Sequence, residues 1–99
     1  MTSRQVTLSV NGAPIALDGF VRGYIDHVVY GVLASLKGTE EIQGVDLTIE
    51  GDQVSIILNN AAVPLNPFVT RIIRNTMVGV VSSLRGVSKI ERMLVRMRR

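Results

Sequence analysis

VTLSVNGAPIALDGFVRGYIDHVVYGVLASLKGTEEI, residues 6–42, lies without a gap over VSIILNNAAVPLNPFVTRIIRNTMVGVVSSLRGVSKI, residues 54–90. Val6 falls on Val54, Asn11 on Asn59, Ala13 on Ala61, Leu17 on Leu65, Phe20 on Phe68, Gly31 on Gly79, Ser35 on Ser83 and Gly38 on Gly86. Leu8 with Ile56, Ile15 with Val63 and Lys37 with Arg85 are conservative partners. An internal repeat constrains the fold, because each copy must bury an apolar face that it cannot cover alone. The chain has 99 residues, enough for one domain that buries roughly two thirds of its unfolded surface. We therefore read residues 1–99 as a single domain of two repeats, about 6–50 and 54–97, sharing one core.

Each repeat carries the same local signals. Val6, Leu8 and Val10 alternate with polar residues, the pattern of a half-buried strand. Asn11-Gly12 and Asn59-Asn60 supply turns, since Asn tolerates left-handed backbone. Short extended stretches follow at residues 13–17 and 61–65, where Pro14 and Pro64 limit regular pairing. Asp18 and Asn66 are N-cap residues, and Pro67 suits the first helical position. Helices of about five turns are expected from there to Lys37-Gly38 and Arg85-Gly86, a basic last turn and a stop glycine in each case. Their core stripes read Val21, Ile25, Val28, Val29, Val32, Leu36 and Val69, Ile73, Met77, Val80, Leu84. A strand with Val45, Leu47 and Ile49 inward leads through Gly51-Asp52 to one with Val54, Ile56 and Leu58 inward. The last strand turns Met93, Val95 and Met97 to the core. The order β-α-β-β-α-β predicts an α+β, ferredoxin-like two-layer sandwich of four antiparallel strands with both helices on one face. A short extra hairpin strand in each repeat is the variant of this fold, and a duplicated barrel is the rival.

Composition narrows the function classes. Hydrophobic residues make up 46% and charged ones 19%, below the roughly 25% of an average soluble domain, which leaves apolar surface for a partner. The chain has no cysteine, so disulfides, thiolate metal sites and cysteine nucleophiles are excluded. That composition, with no secretory signal in residues 1–12 and no apolar run of ~20 residues, leads us to expect a cytoplasmic protein without a membrane partner. His27 is the single histidine, and its counterpart is Asn75. Ser-His-acid sets, phosphate-cradling glycine loops and metal-ligand spacings are absent from the sequence, so neither a catalytic residue nor a cofactor or metal is assigned.

Two surfaces remain as candidates. Residues 1–50 carry three basic side chains against six acidic ones, a net −3; residues 51–99 carry eight against two, a net +6. Arg92, Arg96 and Arg98 alternate on one side of the final strand, and Arg71, Arg74 and Arg99 add to the same field. Such a row suits electrostatic contact with nucleic acid or an acidic protein, or merely the charged edge strand that resists aggregation. A ferredoxin-like order would place that strand and the Asp46/Glu50 strand on opposite edges, where one copy's acidic edge meets another's basic edge. The second candidate is the pair of helix backs. Gly31 and Gly79 sit in rows of small residues flanked by Phe20 and Tyr24 on the first helix and by Phe68 and Ile72 on the second. These residues suit self-association, a dimer most simply, although glycines there also serve to relieve contact between the two helices of one chain. The leading expectation is a small non-catalytic module that self-associates, followed by a polyanion binder and then an enzyme whose pocket is completed between subunits.

Overall fold

The computed structural model describes residues 5–37 and 41–98. Four elements, β1 (Gln5–Val10), β2 (Ala13–Pro14), α1 (Gly19–Lys37) and β3 (Gly44–Glu50), are followed by β4 (Gln53–Leu58), β5 (Ala61–Ala62), α2 (Pro67–Ser82) and β6 (Arg92–Arg98). The second four start at 53, 61, 67 and 92, each 48 positions after its counterpart at 5, 13, 19 and 44. The fold is α+β, with six strands in one antiparallel sheet ordered β2-β1-β6-β3-β4-β5. Exchanging β1, β2 and β3 for β4, β5 and β6 returns the same order read from the other end.

This corrects the expected sheet in two respects. The short hairpins are strands, so there are six rather than four, and the sheet stays open rather than closing into a barrel. The strands that follow the helices, β3 and β6, are central neighbours instead of opposite edges. The hairpins explain the change. Each folds back along the outer side of β1 or β4, pairing Ser9 with Pro14 and Ile57 with Ala62, so those strands take the rims. Pro14 has no N–H to offer a further strand, which suits an edge. Because neighbours alternate in direction, β1 and β3 run parallel with β6 between them, and β4 and β6 run parallel with β3 between them. Each β-α-β unit is thus split by a strand of the other half.

The core follows the alternation in the sequence. Val6, Leu8, Val10, Val45, Leu47, Ile49, Ile56, Leu58, Met93, Val95 and Met97 are buried on one sheet face, and Val54 is half-buried. The helices cover that face with Ile25, Val29 and Leu33 from α1 and Ile73, Met77 and Val81 from α2, in one cluster drawn from both halves. The buried line includes Leu33 and Val81, which lie outside the expected stripes, while Val21, Val28, Val32, Val69, Val80 and Leu84 only flank it. Aliphatic side chains and methionines build this core entirely; among the described residues no aromatic ring is in it.

The helix starts are as the sequence indicates. Val21 N–H donates to Asp18 Oδ1 at 2.8 Å and Val69 N–H to Asn66 Oδ1 at 2.8 Å, satisfying one otherwise orphaned donor at each N-terminus. The end of α2 differs. The helix stops at Ser82, short of Arg85, so it lacks the expected basic last turn. Ser82 and Ser83 hydroxyls donate to Gly79 O at 3.3 and 3.0 Å, and Ser83 N–H moves to Val80 O, tightening the last turn. Gly86, at φ +85°, then closes a separate turn in which Val87 N–H donates to Leu84 O. Gly38, expected to end α1, lies outside the described residues.

Candidate functional site

The structure is a slab of 35 × 34 × 18 Å with two broad faces, one for each candidate surface. On the open face of the sheet, Arg92, Arg96 and Arg98 do stand in a row, each about half exposed. Antiparallel register sets Asp46 opposite Arg96, Glu50 opposite Arg92 and Gly44 opposite Arg98. Arg96 Nε lies 3.3 Å from Asp46 Oδ1, Arg98 Nη2 2.8 Å from the same oxygen, and Arg92 Nη1 3.8 Å from Glu50 Oε2. The Arg98 stem crosses Gly44, where a Cβ would sit only 3.2 Å from its Cδ, and Nη1 donates to Val45 O and Met97 O. The row is therefore a set of cross-strand pairs at the middle of the sheet. The edge-strand reading of these arginines is overturned, and so is the pairing of acidic with basic edges between copies.

Two of the other basic candidates, Arg71 and Arg74, do not join that row. Arg71 and Arg74 are on α2, which packs on the opposite face of the sheet, and Arg99 lies outside the described residues. Arg74 is committed to the β3–β4 turn: Nε donates to Gly51 O at 2.7 Å and lies 3.6 Å from Asp52 Oδ1. Arg71 is exposed and lines, with Arg74, Asp52 and Thr70, a hollow of about 550 Å³ on the outer flank of α2.

Two asparagines do more than the sequence suggested. Asn11 and Asn59 have φ of 53° and 51°, as expected of turn residues. Their side chains also reach into the other half. Asn11 Oδ1 accepts from Glu91 and Arg92 N–H at 2.8 and 2.9 Å while Nδ2 donates to Lys89 O at 2.7 Å. Asn59 Oδ1 accepts from Gln43 and Gly44 N–H at 2.7 and 3.1 Å while Nδ2 donates to Glu41 O at 2.8 Å. Each half thus clamps the start of the other half's central strand. The one sequence signal for this is that Asn occupies the first turn position in both repeats, whereas the second position changes from Gly12 to Asn60.

The helix layer has the opposite character. All four aromatic residues of the chain, Phe20, Tyr24, Tyr30 and Phe68, are exposed on it, with Phe20 at 78% and Phe68 at 60% of full exposure. Ile72 is exposed beside them, and the Phe20 and Tyr24 rings stack at 6.0 Å. The helices run antiparallel, so Phe20, Val21 and Tyr24 face Gly79, Val80, Ser83 and Leu84 across a groove of about 620 Å³. A Cβ added at Gly31 or Gly79 would meet nothing within 4 Å. The glycines therefore relieve no contact between the two helices, and that reading of them is removed. Residues 27–36 and 75–84 carry no formal charge, although their outward positions are exposed. Three polar donors there are already bonded: His27 Nδ1–H donates to Gly23 O at 2.7 Å, Ser35 Oγ to Gly31 O at 2.9 Å and Ser83 Oγ to Gly79 O at 3.0 Å. Covering this face would strand none of those hydroxyl or imidazole donors.

Among the described residues no helix is long and apolar enough to cross a membrane. No protein-family model, curated protein or solved structure matches this chain.

Proposed function

We propose that this protein is a non-catalytic interaction module that self-associates as a dimer through its helix layer. The observation that carries the reading is the placement of every aromatic ring of the chain on an exposed helix layer that carries few charges, while the core is wholly aliphatic and methionine. Aromatic rings are the largest apolar groups available, and solvated helix backs ordinarily carry charge. The face has the form that a second copy requires. One ridge, Phe20 and Tyr24, and one trough of small residues, Gly79 and Ser83, lie across the groove; Phe68 with Ile72 and Gly31 with Ser35 hold the positions 48 residues away. An isologous interface needs such a self-complementary patch, with ridge and trough both present on each copy. The broad face, 35 by 34 Å, exceeds the roughly 800 Å² that each partner contributes to a standard interface.

Size-exclusion chromatography with light scattering tests this at low and high salt. Expected is a dimer that salt does not dissociate, converted to a folded monomer by Gly31→Leu with Gly79→Leu, whose added side chains fill the troughs. A monomeric parent at high micromolar concentration, or a dimer indifferent to the leucines, would remove the proposal.

A further inference from the structure

The divergence in charge between the halves has a structural use that the helix layer does not explain. We propose that the β3–β6 seam is a charge-coded recognition surface by which the two halves select each other, so that two copies of the chain can exchange halves about a hinge at Gly51-Asp52. The halves are interleaved, and their longest shared boundary is the pairing of β3 with β6 from Gly44↔Arg98 to Glu50↔Arg92. Because the halves share one backbone plan, each central strand has two possible partners, the other half's strand or a second copy of itself. In the same register frame, β6 paired with another β6 sets Arg92 against Arg98 twice and Leu94 against Arg96. β3 paired with another β3 sets Asp46 against Thr48 and Glu50 against Gly44, leaving both acids without a cation opposite. The observed pairing alone brings Asp46 to Arg96 and Arg98, and Glu50 to Arg92. Like charges directly opposite disfavour a strand pair and opposite charges favour it, so the sign difference discriminates between partners.

The clamps obey the same rule, since Asn11 and Asn59 each hold the other half's strand rather than their own. What joins the halves is short: the two-residue turn Gly51-Asp52, with Gly51 at φ +60°. It is held shut by Arg74 on Gly51 O and by Gly51 N–H on Glu91 O at 3.2 Å. All the seam contacts lie between halves and none requires that both halves belong to one chain. With the turn extended, the first half of one copy completes the second half of another, and tight hinge turns are where such exchange occurs.

The test uses two full-length variants. The first carries Asp46→Arg and Glu50→Arg, making both of its central strands basic; the second carries Arg92→Glu, Arg96→Glu and Arg98→Glu, making both acidic. Each alone should melt about 5–10 °C below the parent. Both then receive Gly31→Leu and Gly79→Leu so that helix-layer dimers do not form. Unfolded together in denaturant and refolded as a mixture, they should give a 1:1 heterodimer that melts like the parent carrying the same two leucines, seen by native mass spectrometry, because each basic strand then finds an acidic one. Combining all five reversals in one chain should restore parental melting without exchange. Either variant melting like the parent, a mixture that keeps both lowered transitions with no 1:1 species, or a five-fold variant that stays destabilised would overturn the proposal.

Discussion

The two broad faces differ in whether the fold uses what the sequence displays. The open sheet face carries the conspicuous charges, and folding gives them partners: three half-exposed arginines meet two carboxylates across the central strands. The helix layer carries few charges and leaves its large apolar groups in solvent, with glycines at positions where an added Cβ would meet only open space. A charge row therefore weakens as a functional signal once its partners are known. Glycine inside a helix costs about 1 kcal/mol relative to alanine, and at Gly31 and Gly79 the monomer shows no compensating contact for that cost.

The largest effect that sharpens this contrast belongs to the sheet. Asn11→Ala removes three side-chain hydrogen bonds that fix the start of β6 and forces alanine into left-handed backbone, so we expect a loss of about 3 kcal/mol in chemical denaturation. Asn11→Gly keeps the backbone relaxed while losing the bonds, and should fall between alanine and the parent. Equal stability of all three would mean that the clamp does not hold the central strands. A smaller change follows at the seam. Asp46→Asn removes the anion shared by Arg96 and Arg98 and should cost about 1 kcal/mol, shrinking in 1 M salt as expected for partly exposed pairs. A salt-independent loss would show that the aspartate acts through packing instead. Smallest, and opposite in sign, is Gly79→Ala, which should stabilise the monomer by about 0.8 kcal/mol when measured at dilution. Destabilisation there would reveal a close intrachain contact and undo the distinction between the faces.

Much of the fold was legible because it is local. Alternation placed the inward residues of every long strand, Asp18 and Asn66 marked the helix starts, and the 48-residue correspondence of the halves ran through the sequence. Strand order was not legible, since pairing Glu50 with Arg92 joins residues far apart in the chain, and nothing near either one announces its partner. The placement of the arginine row at an edge depended on that order, so that placement was misread with it. Leu33 and Val81 were missed because a helix stripe bordered by several valines has no sharp edge in sequence. The early stop of α2 coincides with two serine hydroxyls, Ser82 and Ser83, on Gly79 O, where α1 has only Ser35 on Gly31 O and runs on to Lys37. By contrast, the exposure expected of Phe20, Tyr24, Gly31, Phe68, Ile72 and Gly79 is what the fold displays, because helical spacing alone put them off the core stripe.

The most direct measurement is a dilution series of amide and methyl NMR spectra on the unmodified protein. Concentration-dependent shifts should concentrate at Phe20, Tyr24, Gly31, Ile72, Gly79 and Ser83, while Thr7, Ser55 and Arg96 on the sheet face stay fixed. Shifts confined to the sheet face, or spectra that do not change with concentration, would contradict the assignment of the helix layer as the surface where two copies meet.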